Sequence, residues 1–165
     1  MANKEKTLDD AFYETLKDVY WAEKQSVKAL KKSAKAAEHD DLKQAFITHG
    51  EESAVQVERL QQVFELIGKT ARSKTCEAMQ GITSEMEEDL EDFGGTPAGD
   101  SVLAACAQAV EHYEIARYGT LKTWATLLGH TDAAKLLDET LQEEKKADAL
   151  LTKIAQKLNA AAKAA

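Results

Sequence analysis

One proline, Pro97, stands in the whole chain, and on both sides of it apolar residues recur at steps of three and four. Proline removes a backbone donor and clashes with the preceding turn, so its absence leaves long stretches free to run as unbroken helix. The three-and-four step is the period of one helical face. Together these features exclude a turn-rich β-sandwich and predict an all-α fold. With 44% hydrophobic residues the chain has material for a core, which excludes wholesale disorder. Its 165 residues fit one domain, residues 1–165.

Four long helices are predicted. Thr7 caps the first, with Asp10 three residues on to complete a capping box, and the stripe Phe12, Leu16, Val19, Val27, Leu30, Ala34 and Ala37 carries it forward. After a break at residues 38–41, the second carries Leu42, Ala45, Leu60, Val63 and Ile67 and stops at Gly68. The third holds Leu103, Ala107, Val110, Leu121, Ala125 and Leu128 and stops at Gly129. The fourth starts at Thr131 and holds Ala134, Leu137, Leu141, Leu151, Ala155 and Leu158, with an alanine-rich end expected to fray.

Short turns make two antiparallel hairpins, about 7–68 and 99–160. The connection between them, residues 69–98, has its own helical spacing in Met79, Ile82, Met86, Leu90 and Phe93 before Gly94 and Gly95 break it. About 19 helical residues cover ~28 Å, so this segment can run back along the bundle. It is expected to carry an extra helix and to make the second and third long helices parallel neighbours.

Asp and Glu outnumber Lys and Arg by 29 to 21, a net charge of −8. That balance argues against nucleic acid as a partner, since phosphate calls for a basic face. The start is charged from Lys4 onward without an apolar core, and the longest apolar run, residues 102–107, is far too short to cross a bilayer. A cytoplasmic protein without membrane attachment is expected. Cys76 and Cys106 have no CxxC spacing and are expected to be two buried thiols.

Each long helix carries a carboxylate on its apolar stripe: Glu23, Glu52, Glu114 and Glu144. Nearly equal chain lengths separate Glu23 from Glu52 and Glu114 from Glu144, so in each hairpin the two lie within about a turn of one height. Four ionised carboxylates in a low-dielectric interior repel and lose hydration. Either some are protonated or cations sit among them, and two divalent ions would match four negative charges. Oxygen-rich ligation suits Mg, Mn or Fe better than Zn or Cu. Gln56 and Asp148 repeat a Glu-x-x-x-polar step after Glu52 and Glu144. His49 and Glu111 lie one turn before Glu52 and Glu114, and Tyr20 and Tyr118 flank the level.

The segments DVYWAEKQ, HGEESAVQVERLQQVFE, ACAQAVEHYEIARYGTL and ETLQEEKKAD resemble the YciF/YciE-like family of ferritin-like stress-response proteins, over essentially the whole chain. The resemblance implies a ferritin-like four-helix bundle with a long crossover between its second and third helices. In the wider ferritin and rubrerythrin superfamily, one Glu from each of two helices and a Glu-x-x-His from each of the others hold two metal ions. Carried over by position, Glu23 and Glu114 take the single-Glu roles, and Glu52 and Glu144 those of the two motifs. Val55 and Ala147 stand where histidines are expected, which leaves Gln56 and Asp148 as oxygen-donor substitutes.

The implied metal is iron, as two ions, with Mn an alternative for this ligand set. Metal binding with O₂ or peroxide chemistry is one expectation, and a structural or interaction bundle that lost its chemistry is the other. A homodimer is expected, whereas a storage cage would need assembly surfaces that nothing identifies. Hydrolysis has no support: Gly-x-Ser-x-Gly, P-loop and His-Glu-x-x-His motifs do not occur.

Overall fold

The computed structural model describes residues 5–165; Lys4, where the charged start was read, lies outside them. Five helices and no strand occur among the described residues: α1 Leu8–Ala36, α2 Asp40–Leu66, α3 Glu77–Phe93, α4 Gly99–Leu127 and α5 Thr131–Ala164. None is long and apolar enough to cross a membrane.

The local signals act as read. Thr7 Oγ1 accepts from the Asp10 amide at 3.2 Å, while the Thr7 amide donates to Asp10 Oδ2 at 3.0 Å, a reciprocal capping box at the start of α1. Thr7→Ala is expected to cost about 1 kcal/mol; chemical denaturation checks this, and an unchanged midpoint would refute it. Gly68 and Gly129 take left-handed φ values of 67° and 82°, closing α2 and α4 where a side chain would be strained. The alanine-rich end is part of α5, which continues to Ala164.

The four long helices pack as a ring in the order α1, α2, α5, α4. Gln108 bonds Asp148 across the α4–α5 hairpin, and Arg59 bonds Thr140 while Lys157 reaches Asp41 across α2 and α5. Both pairs are antiparallel, and so is the α1–α4 pair. There Tyr118 meets Glu23, and Asp100 accepts from the Glu38 and His39 amides at 3.0 and 2.7 Å.

It follows that α2 and α4 run parallel, as the long connection required, but they stand diagonally across the bundle and are not neighbours. The physical reason is α3, which lies in the groove between α1 and α4. Ser33 and Lys32 of α1 meet Met86 and Glu87 of α3, and Tyr113 and Cys106 of α4 meet Cys76 and Asp89. A strap occupying that groove leaves α5, not α4, beside α2.

The core is divided. One apolar layer gathers Phe12, Leu16, Leu60, Phe64, Leu121 and Leu137. The other gathers Leu30, Leu42, Phe46, Leu103, Leu151 and Leu158. Between them the ring holds a layer of buried polar side chains. Cys76 is buried and Cys106 half-buried, and both are free thiols.

Candidate metal centre

The middle layer contains Glu23 from α1, His49 and Gln56 from α2, Glu111 and Glu114 from α4, and Glu144 from α5, with the small Ser26 and Ser53 also buried one turn from Glu23 and His49. All are buried, His49 being 6% exposed and the others 0%. Ligand atoms of His49, Glu111, Glu114 and Glu144 lie within 4.8 Å of one another, close enough for one cation to reach all four.

His49 is the cation of the layer. Its Nε2 stands 3.2 Å from Glu111 Oε2 and 3.3 Å from Glu144 Oε2, aligned as a hydrogen bond with neither. Its Nδ1 is 3.3 Å from Glu52 Oε2. Burial opposes the charged imidazole, but the two carboxylates overcome it and raise the pKa to about 12. On Glu144 burial pushes the pKa up, and the nearby positive His49 ring together with the bond from Gln56 outweighs it, so this carboxyl is held below its ordinary value.

The other acids carry the strain. Burial first, and then the charge of Glu144, raises Glu23 to about 8 even though Tyr118 donates to its Oε2 at 2.5 Å. Burial likewise raises Glu111 to about 8 against the pull of His49. Glu114 is pushed well above the carboxylate range by burial and by Glu23 and Glu144. Both oxygens of Glu111, both of Glu114, and one each of Glu23, Gln56 and Glu144 have no hydrogen-bond partner. Buried acceptors are seldom left so.

The direction of these shifts sets the pH dependence expected of the metal-free protein. Glu23 and Glu111 titrate near 4.5 when unfolded and near 8 when folded, so between those values the folded state holds protons that the unfolded chain has lost. Stability therefore falls as pH rises through that window. His49, raised from 6.5 to about 12, adds a loss of the same sign above pH 6.5. Chelator-treated protein is expected to be less stable at pH 8 than at pH 5.5 by more than about 1.4 kcal/mol, the equivalent of one pKa unit. Urea denaturation at both values checks this, and a flat or rising profile would count against it.

An outer shell holds the layer in place. Gln56 Nε2 donates to Glu144 Oε1 at 2.5 Å and to Glu143 Oε2 at 3.0 Å. Arg59 grips Glu143 with two bonds of 2.7 and 3.0 Å and also reaches Thr140.

The structure brings four of the sequence-derived residues together: Glu23, Gln56, Glu114 and Glu144. Glu52 is half-exposed at the rim, behind His49, and Asp148 sits at the α4–α5 seam with Gln108 and His112. His49 and Glu111, which the spacing placed on the same faces without assigning them as ligands, occupy the interior instead. At ~100° per residue, position 52 falls roughly 70° from the centre of the inward face of α2, while position 49 lies near it. Tyr118 touches the layer, whereas Tyr20 is bonded by Gln61 outside it. Arg59 and Glu143 had no sequence signal beyond opposite charge.

A helical ring that encloses a histidine–carboxylate layer defines a class: helical-bundle proteins with a buried polar interior. Over residues 7–164 the sequence matches the family described as a domain of unknown function (DUF892), and the chain belongs to it. It is 49% identical over 152 residues to Protein YciF of Escherichia coli K12, covering 91% of each chain.

Among solved structures, the E. coli stress protein YciF matches with a TM-score of 0.89 at 46% identity, covering 93% of this chain and 98% of that one. YcfI from Rhodopseudomonas palustris, described as a proposed structural protein, matches at 0.88 with 41% identity over 92% and 97% of the chains. A protein from Xanthomonas campestris matches at 0.76 with 22% identity over 94% of each chain, which speaks for the fold alone.

Proposed function

We propose that this chain is a ferritin-like, cytoplasmic stress-response protein that holds a carboxylate-bridged pair of divalent metal ions, iron by preference and Mn as an alternative, in its polar layer. The observation that carries this reading is the set of orphaned buried acceptors on Glu23, Gln56, Glu111, Glu114 and Glu144. A cation would satisfy them together, and the donors, mostly carboxylate oxygens with one imidazole, suit Fe or Mn.

Glu23, His49, Glu111, Glu114 and Glu144 would hold the metal, with the Gln56 carbonyl beside them. Glu52, placed against Nδ1, would fix the His49 ring so that Nε2 faces the ions, and Asp148 would support the α4 side from outside. Bound iron would supply redox chemistry toward O₂ or peroxide. The chain's own part is to hold the ligands, keep bulk water out with the two apolar layers, and place the Tyr118 hydroxyl on Glu23. A homodimer is the proposed assembly.

Anaerobic titration of chelator-treated protein with Fe(II) and Mn(II) tests the reading. Saturation near two ions per chain and a rise in melting temperature with metal concentration are expected. Titration without saturable uptake overturns it. The second reading, a structural bundle without metal, draws on the His49 imidazolium, which already offsets part of the acid charge. It predicts no uptake and a melting temperature indifferent to metal.

A further inference from the structure

Among the described residues, three flanks of the polar layer are closed and the fourth is open. On the α1–α4 side α3 covers it, with Cys76 and Met79 packed on Ala22 and Val110. On the α4–α5 side Gln108 bonds Asp148 and Thr152 across the seam. On the α1–α2 side a Cβ added to Gly50 would stand 3.7 Å from that of Leu30, so the two helices are in contact. Between α2 and α5, Arg59 and Glu143 close the seam further along. At the level of His49 the same seam carries the small Ala45 and Ala147, and a cavity of about 120 Å³ opens there. It leads from exposed Thr48, Glu52 and Lys146 at its mouth to His49 and Glu111 at its floor. About 10–15 Å³ holds one water, so an ion can enter with several of its waters still attached.

We propose that this cavity is the entry route by which a hydrated divalent cation reaches the polar layer. The inference rests on the metal centre proposed above and names the path to it. Its end is Glu111, fully buried with both oxygens unpartnered. Oxygen donors stand at successive depths: the Thr48 hydroxyl and the half-exposed Glu52 carboxylate at the mouth, then Glu111. An ion can exchange waters for these one at a time, which avoids the cost of losing its whole shell at once. The His49 ring stands between the two acids, with Nδ1 3.3 Å from Glu52 and Nε2 3.2 Å from Glu111. One ring therefore separates the rim carboxylate from the buried one. An anion taking the same path would meet Glu111 and, beyond it, Glu144, which repel it. Lys146 is the opposing charge at the mouth. A charge on a rim acts on the rate of association more than on affinity, so Lys146 slows entry without weakening the site.

Mn(II) alone is the probe, mixed with chelator-treated protein and followed by freeze-quench electron paramagnetic resonance, which reads the free ion. Release is followed by adding excess chelator to the loaded protein. Ala147→Phe is expected to slow uptake and release by the same factor, about tenfold. The dissociation constant stays unchanged, because a barrier on the route acts equally in both directions. Ala147→Leu is the milder plug should the first fail to fold by circular dichroism. Lys146→Gln is expected to speed uptake about threefold at low salt, an effect that high salt removes. Ala54→Phe, exposed on the α1–α2 side, is the control and keeps the parent's rates. The route is overturned by a folded plug variant that takes up Mn(II) at the parent's rate, that weakens binding without slowing release, or whose slowing Ala54→Phe shares. Should neither plug fold, an uptake rate unaltered by Lys146→Gln at low salt overturns it. In each of these cases saturable uptake by the parent leaves the metal reading standing, whereas no uptake by the parent removes both.

Discussion

Replacing Glu114 by Gln is expected to raise the melting temperature of the metal-free protein while abolishing its stabilisation by metal. Glu114 is fully enclosed, both its oxygens lack partners, and it faces the charges of Glu23, Glu144 and Glu111. A buried acceptor without a partner costs about 1–3 kcal/mol. The glutamine amide keeps the volume, removes an acid from the cluster and brings two donors within reach of the neighbouring carboxylates. At roughly 2–4 °C per kcal/mol for a chain of this size, the gain is about 2–12 °C. Scanning calorimetry with chelator, and again with excess Mn(II), checks both halves. A loss of stability in the metal-free state would mean that the layer is already satisfied as an ion network, and would count against a site built for metal.

Arg59→Ala acts in the opposite direction. The guanidinium lies between α2 and α5 and holds Glu143 at 2.7 and 3.0 Å, and burial of Glu143 is outweighed by that contact, which keeps its pKa low. Removing one partner of a fully buried ion pair costs about 3–5 kcal/mol. Arg59 is 14% and Glu143 27% exposed, so solvent screening reduces the expected loss to about 1–3 kcal/mol. Glu143 then competes freely for Gln56, whose other bond orients Glu144. Outer-shell partners of this kind typically carry a factor of 10–100 in metal affinity, and about tenfold weaker Mn(II) binding is expected here. Arg59→Lys keeps the charge but not the two-pronged grip, and is expected to fall between parent and alanine variant. If Arg59→Ala lowers stability yet leaves affinity unchanged, the pair only joins helices.

Much of the architecture is legible from local chemistry because helix starts, stops and inward faces depend on residues a few positions apart. The Thr7 and Asp10 capping box, the stops at Gly68 and Gly129, and the apolar stripe of α3 are all of this kind. The inward placement of Glu23, Glu114 and Glu144 is legible for the same reason, since each interrupts an otherwise apolar face near its middle. Positions at the edge of a face are different. Glu52 and His49 both lie on the stripe of α2, and which of them enters depends on how α2 is rotated against α5 and α1.

The sequence by itself determined five helices, two antiparallel hairpins, the parallel course of α2 and α4, and a level at which acids enter the core. Only the tertiary structure decided that α2 and α4 stand diagonally, that His49 and Glu111 complete the polar layer while Glu52 and Asp148 stay outside it, and that Arg59 and Glu143 brace Gln56. Helix period and capping are set by neighbours along the chain. Rotation of a whole helix, and pairs such as Arg59 with Glu143 that lie 84 residues apart, are set by how large surfaces pack, and no local spacing encodes that.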